Sequence, residues 1–217
     1  MKLKACIFDL DGVIVDTARY HFLAWKRLAD ELGINFTEHD NERLKGVSRM
    51  ASLEIILELG QLKIDDTLKD RYAAQKNEWY VEYISRMTPS EILPGVVSFL
   101  HELRGKGIKI GLGSASKNTP TILDRVGIAA LFDAVADGNN VKKAKPDPEV
   151  FLVAARLLGV QPSECVVFED AVAGIEAALN AGMRCIGIGD RRILTRADLV
   201  VRGLHEMSLE KLNEFEK

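Results

Sequence analysis

The sequence predicts an α/β fold: a doubly wound, mostly parallel sheet core of Rossmann-like type, interrupted by an inserted α-helical cap. Three observations carry this expectation. Four short runs, at 5–8, 108–112, 165–168 and 185–188, are mostly apolar on both faces, as parallel strands covered by helices on either side must be. The helical stretches between them end on glycine, which closes a helix in the left-handed conformation. One stretch, 16–86, has helical periodicity and no convincing strand.

Taken in order, Ala5-Cys6-Ile7-Phe8 forms the first strand. The insertion follows. Trp25, Leu28, Ala29 and Leu32 keep helix spacing, as do Leu53, Ile56, Leu57 and Gly60, and then Tyr72, Trp79, Tyr80 and Tyr83. Thr88-Pro89 and Leu93-Pro94-Gly95 mark the return to the core, because a residue before proline resists the helical region. The expected division is a core of 1–15 and 90–217 and a helical cap of 16–89. Helices at 96–106, 119–126, 150–158 and 171–181 stop at Gly107, Gly127, Gly159 and Gly182. Weaker strands are expected at 134–136 and 199–201.

The 217 residues suffice to bury a core without disulfide or metal staples, and 47% apolar with 28% charged residues is a globular composition. A formal net charge of −3 supplies no bulk positive field for nucleic acid or an anionic membrane. No apolar run approaches the roughly 18 residues of a membrane span, and the N-terminus has no signal-peptide layout. Cys6, Cys165 and Cys185 sit singly in apolar runs, which reads as reduced core thiols in a cytoplasmic protein. Nothing suggests an obligate interface, so a monomer acting on a small molecule is expected.

The chemistry gathers at strand ends. Asp9-Leu10-Asp11-Gly12 closes the first strand, where open parallel sheets bind ligands. Alone, such an Asp/Gly turn is equally a plain strand-to-loop corner. Glu169-Asp170 ends another strand, Ser114 follows a third, and Lys145 precedes Pro146-Asp147-Pro148, where Asp147 can cap the next helix and Pro148 can occupy its first position. Three strand ends and a loop thus bring acids, a hydroxyl and a lysine toward one crevice. Carboxylates crowded this way repel unless a cation joins them. Hard oxygen donors without His or Cys point to Mg²⁺ and to phosphate. An aspartate nucleophile would then form an aspartyl phosphate, with a second aspartate moving the proton.

Asp9-x-Asp11, Ser114, Lys145 and Glu169-Asp170, with the helical insertion, resemble the haloacid dehalogenase superfamily of phosphotransferases, helical-cap subgroup. The segments 16–26, 44–49 and 113–118 resemble those of its sugar-phosphate mutases. The resemblance implies conversion of β-glucose 1-phosphate to glucose 6-phosphate through glucose 1,6-bisphosphate. By it, Asp9 is the nucleophile and Asp11 the general acid/base, while Ser114 and Lys145 grip the transferring phosphoryl group. Asp9, the backbone of Asp11, Glu169 and Asp170 hold Mg²⁺. Lys45, Gly46, Val47, Ser48 and Arg49 form the cap's substrate loop, and Arg49, Ser116, Lys117 and Asn118 hold the distal phosphate. Thr17, His21, Trp25, Ser52, Lys76 and Ala115 complete the expected substrate-binding set.

Several of these residues have blander readings. Ser48 can simply cap a helix starting at Arg49, and Arg49 can pair with Glu54 on the surface. His21 shares a helix face with Trp25 and can be a packing histidine. Lys76 and Tyr80, one turn apart, read as a solvated helix face, Trp25 and Trp79 as core, and Asp137-Gly138 as a turn. A Mg²⁺-dependent sugar-phosphate phosphatase of the same superfamily is the competing function, since its core looks the same.

Overall fold

The computed structural model describes residues 3–44 and 47–216. Its centre is one parallel sheet of six strands: β1 (Ala5–Phe8), β2 (Lys109–Gly113), β3 (Ala134–Ala136), β4 (Cys165–Glu169), β5 (Arg184–Ile188) and β6 (Leu199–Val201). Their order across the sheet is β3-β2-β1-β4-β5-β6. The order reverses between β1 and β4, and that switch point opens a crevice beyond the strand carboxyl ends. The register aligns Phe8 with both Leu112 and Phe168, so Asp9 falls level with Gly113 and Glu169.

Strand alternation explains why both faces are apolar. Cys6 and Phe8 enter one core with Ile110, Leu112, Val166 and Phe168, under helices α5 (Val96–Gly105), α6 (Thr119–Val126) and α9 (Leu209–Glu216). Ala5 and Ile7 enter the opposite core with Val167 and Cys185, under α7 (Glu149–Leu158) and α8 (Val172–Asn180). Phe8 stacks on Phe168 at 4.6 Å between ring centroids, and Phe99 meets both rings edge-on. The three cysteines are buried thiols, and no disulfide joins them.

Among the described residues, four α-helices fill the insertion between β1 and α5: α1 (Ala18–Glu31), α2 (Glu38–Asn41), α3 (Arg49–Leu59) and α4 (Asp66–Ile84). They bury a cluster of their own, built on Trp25, Leu28, Phe36, Leu53, Ile56 and Leu57. The base of the insertion, through Tyr20, Ala24, Tyr80 and Ile84, joins the sheet's core instead. Val15 bridges Ile92 where the chain leaves and re-enters the core. In α4 the buried stripe is Ala73, Lys76, Tyr80 and Ile84. The aromatics Tyr72, Trp79 and Tyr83 lie only partly covered beside it. This corrects the solvated-face reading of Lys76 and Tyr80, because helix spacing marks which residues share a face but not what covers it. Helix α7 begins at Glu149, one residue before the expected start; Pro148 is its N-cap rather than its first residue, and Asp147, one residue further out, accepts the Glu149 N–H at 3.0 Å.

Candidate active site

Asp9, Glu169 and Asp170 present carboxylate oxygens within 4.8 Å of one another at the ends of β1 and β4. Asp9 and Glu169 are buried, so their mutual repulsion is not dispersed by water. Lys145 answers part of it. Its Nζ lies 2.5 Å from Asp9 Oδ1 and 2.7 Å from Glu169 Oε2, and it donates to the Gly113 carbonyl at 3.1 Å. Burial alone would lower the Lys145 pKa, but the two carboxylates outweigh it and the ammonium is held charged. Glu169 is pushed up to about 7, by burial first and the Asp9 charge second.

The backbone fixes the rest of the group. Asp9 Oδ2 accepts the Asp11 N–H at 3.1 Å, and Glu169 Oε1 accepts the Ala171 N–H at 3.1 Å. Gly12 has φ +80°, and a Cβ there would stand 2.2 Å from Asp170 Oδ2. A Cβ on Gly174, in the first turn of α8, would stand 2.0 Å from Glu169 Cδ. Only glycine leaves room for either acid. Three clustered carboxylates with no sulfur or imidazole suit a hard divalent cation.

Asp11 is not one of this trio. Its carboxylate accepts the hydroxyl proton of the buried Thr17, just before α1. Burial first, and the Asp9 charge second, raise the Asp11 pKa to about 6. On the insertion side, Lys76 is 2% exposed and lies 3.0 Å from His21 Nδ1 and 4.6 Å above the Trp25 and Tyr80 rings. Burial and then the Arg49 charge lower the Lys76 pKa to about 7, and burial holds His21 well below its usual range. A largely neutral His21 can therefore accept a proton bond from Lys76.

Across the crevice, Arg49 opens α3 half-buried, and the Ser48 hydroxyl caps that helix through the Ala51 N–H at 3.2 Å. Arg49 does not pair with Glu54, which binds Lys69 instead. Arg49 donates to Asn77 Oδ1 at 2.7 Å, and Asn118 Nδ2, just before α6, donates to the same oxygen at 3.0 Å. Ser114 is buried, with its oxygen accepting the Ser116 N–H at 3.1 Å, so its own proton faces other uses. Ser116 is half-buried, and Ala115 and Lys117 are exposed on the same loop. Val47 is half-buried. Trp25 and Ser52 are buried in the insertion, Trp25 within its apolar cluster and Ser52 bonded to the Ser48 carbonyl. Lys45 and Gly46 lie outside the described residues. Asp137 serves a turn, accepting from Asn139.

Sequence reasoning missed Asn77 and Gly174. Asn77 follows Lys76 on a helix with no motif around it, and Gly174 reads as one small residue of an apolar helix. Neither position carries a signal without the tertiary approach of Arg49, Asn118 or Glu169.

A parallel sheet with a carboxylate trio and a lysine at its switch point, under a helical insertion bearing an arginine, defines an α/β phosphotransferase-type site. The chain belongs to the haloacid dehalogenase-like hydrolase family, whose model matches residues 3–182. It is 48% identical to "Beta-phosphoglucomutase" of Bacillus subtilis, over 98% of this chain and 95% of that one. A crystal structure of β-phosphoglucomutase from Clostridium difficile superposes with a TM-score of 0.94 at 45% identity, over 98% of this chain and 96% of that one. "Phosphorylated carbohydrates phosphatase" of Thermotoga maritima is more distant, 33% identical over 98% of this chain and 99% of that one.

Proposed function

We propose that this protein is a β-phosphoglucomutase, interconverting β-D-glucose 1-phosphate and D-glucose 6-phosphate through β-glucose 1,6-bisphosphate. The observation that carries the reading is the pairing of two anion-ready sites. One is the Asp9–Lys145 end of the crevice. The other is Arg49, which spends a single N–H on the neutral Asn77 amide. A guanidinium with spare donors suits a phosphate that is held but not transferred. The greater likeness to the Bacillus subtilis mutase than to the Thermotoga maritima phosphatase, each over 98% of this chain, supports the same conclusion.

In the proposed reaction, Asp9 attacks the phosphoryl group of the bisphosphate, the P–O bond to the sugar breaks, and the sugar oxygen takes the Asp11 proton. In the return direction Asp11 removes the proton of the other hydroxyl as that oxygen attacks the aspartyl phosphate. A proton on Asp11 is available for this near neutrality because its pKa is raised to about 6. Lys145 and Ser114 bind phosphoryl oxygens at Asp9. Asp9, Glu169, Asp170 and the Asp11 backbone would hold Mg²⁺, which when bound offsets the crowding of carboxylates and phosphoryl oxygens. Residues 16–89 act as a cap that excludes water, so that a sugar hydroxyl rather than solvent meets the aspartyl phosphate. The substrate set includes Lys117 and Ser116 beside Asn118, with Lys45, Gly46, Val47, Ser48 and Ser52 on the cap side and Thr17, His21, Trp25 and Lys76 near the acid/base. The protein is proposed to work as a cytoplasmic monomer.

The test is a coupled assay with β-glucose 1-phosphate, Mg²⁺ and a trace of the bisphosphate, run against the α anomer. Glucose 6-phosphate from the β anomer alone is expected, and Asp9→Ala is expected to abolish it. Release of inorganic phosphate without glucose 6-phosphate would replace the mutase by the sugar-phosphate phosphatase.

A further inference from the structure

Asn77 sits where the two lips of the crevice meet. Arg49 belongs to α3 and Asn77 to α4, both in the insertion, while Asn118 belongs to the sheet-bearing core. The Asn77 carboxamide oxygen accepts from Arg49 Nη2 at 2.7 Å and from Asn118 Nδ2 at 3.0 Å. An arginine has no acceptor, so the amide atom facing it must be the oxygen. The first is the one hydrogen bond of the Arg49 side chain among the described residues. Both donors are ones that the proposed function gives to the distal phosphate.

We propose that Asn77 is an internal stand-in for that phosphate. In the free enzyme its amide oxygen satisfies one donor from each lip, and an incoming distal phosphate displaces it. The inference rests on the proposed function, because the donors matter only if a distal phosphate comes to them. Its physical basis is a competition. A neutral amide oxygen binds a guanidinium more weakly than a phosphate dianion does, so it keeps the donors from being stranded half-buried yet yields to substrate. The latch also lowers the fraction of free enzyme ready to bind, which raises the apparent KM by that fraction. Asn77 is thus a residue that sets sugar-phosphate affinity without touching the reacting atoms.

The experiment measures KM and kcat for β-glucose 1-phosphate, and KM for acetyl phosphate, in wild type, N77A and N77D. Acetyl phosphate has no distal phosphate. N77A, which removes the competitor, is expected to lower the sugar-phosphate KM about 3- to 10-fold, the scale of a weak two-bond latch. N77D places a carboxylate against Arg49. It is expected to raise that KM at least tenfold more than it raises the KM for acetyl phosphate, with the excess shrinking in high salt. A merely structural role would lower kcat or stability in both variants and leave no such split. A raised or unchanged sugar-phosphate KM in N77A would overturn the proposal, since Asn77 would then assist Arg49 in the complex or do nothing there. Wild type that makes no glucose 6-phosphate would instead sink the proposed function itself, whatever the variants do.

Discussion

Replacing Lys145 with methionine isolates the charge that holds the crevice together. Methionine keeps most of the length and apolar stem of lysine, so the change removes the ammonium with little loss of packing. Lys145 is 1% exposed and Glu169 fully buried, with Asp9 beside them. Without the ammonium, Asp9 and Glu169 become neighbouring buried carboxylates. The cheapest relief is a proton on one of them, and Glu169, already pushed up to about 7, is the one poised to take it. At pH 8, keeping that proton against an ordinary value of 4.5 costs about 5 kcal/mol. The wild type, with Glu169 already at about 7, carries about 3.4 kcal/mol of this, so this group makes the variant about 1.4 kcal/mol less stable. At pH 6 both folded proteins keep the proton and this difference disappears. Above pH 7 the folded wild type releases the proton while the folded variant keeps it, so the gap widens by about 1.4 kcal/mol per pH unit as pH rises. Urea unfolding of both proteins in EDTA, from pH 6 to pH 8, measures this. A loss below about 1 kcal/mol at pH 8, or one that does not change with pH, would show that Lys145 is not what offsets the carboxylates. Millimolar magnesium is expected to recover part of the loss, because a cation bound only by the folded state stabilises it.

Gly174→Ala should raise the magnesium concentration for half-maximal activity at least about tenfold, because the new methyl must move Glu169. Helix propensity alone favours alanine by about 1 kcal/mol, so a more stable variant with normal magnesium dependence would refute the steric argument. Arg49→Ala should raise the KM for β-glucose 1-phosphate about a hundredfold while changing that for acetyl phosphate far less. Equal changes would remove Arg49 from the distal site. Lys76, lowered to about 7 by burial, is charged in the unfolded chain up to its ordinary 10.5. The unfolded chain therefore binds more protons between those values, and stability should climb as pH rises from 7 to 10.5. Urea midpoints at pH 6.5 and pH 9 should differ less in Lys76→Met than in wild type, and an unchanged difference would mean Lys76 is not buried as a near-neutral amine.

The strands were legible because burial on both faces leaves unbroken apolar runs. Ala5–Phe8, Ala134–Ala136 and Leu199–Val201 fall where the pattern puts them. The helix ends were legible because a left-handed residue is chemically restrictive, and Gly127 and Gly159 close α6 and α7 as expected. Within the site, Asp9, Glu169, Asp170 and Lys145 were legible because acids at parallel strand ends share one crevice. Lys76 was misjudged as solvated because an amphipathic period cannot tell water from the underside of Trp25 and Tyr80. Arg49 was open between Glu54 and a ligand, and Lys69 removed the first by taking Glu54 from the neighbouring helix.

What the sequence alone determined is the order of strands and helices and the residues at the mouth of the sheet, because these follow from local periodicity, capping and the fixed chemistry of strand ends. Only the tertiary structure decided that Gly174 must lack a side chain beneath Glu169, that Lys76 lies under two aromatic rings, and that Asn77 joins Arg49 to Asn118. Each of those depends on the packing of segments distant along the chain, and the approach of two surfaces leaves no trace in the spacing within either one.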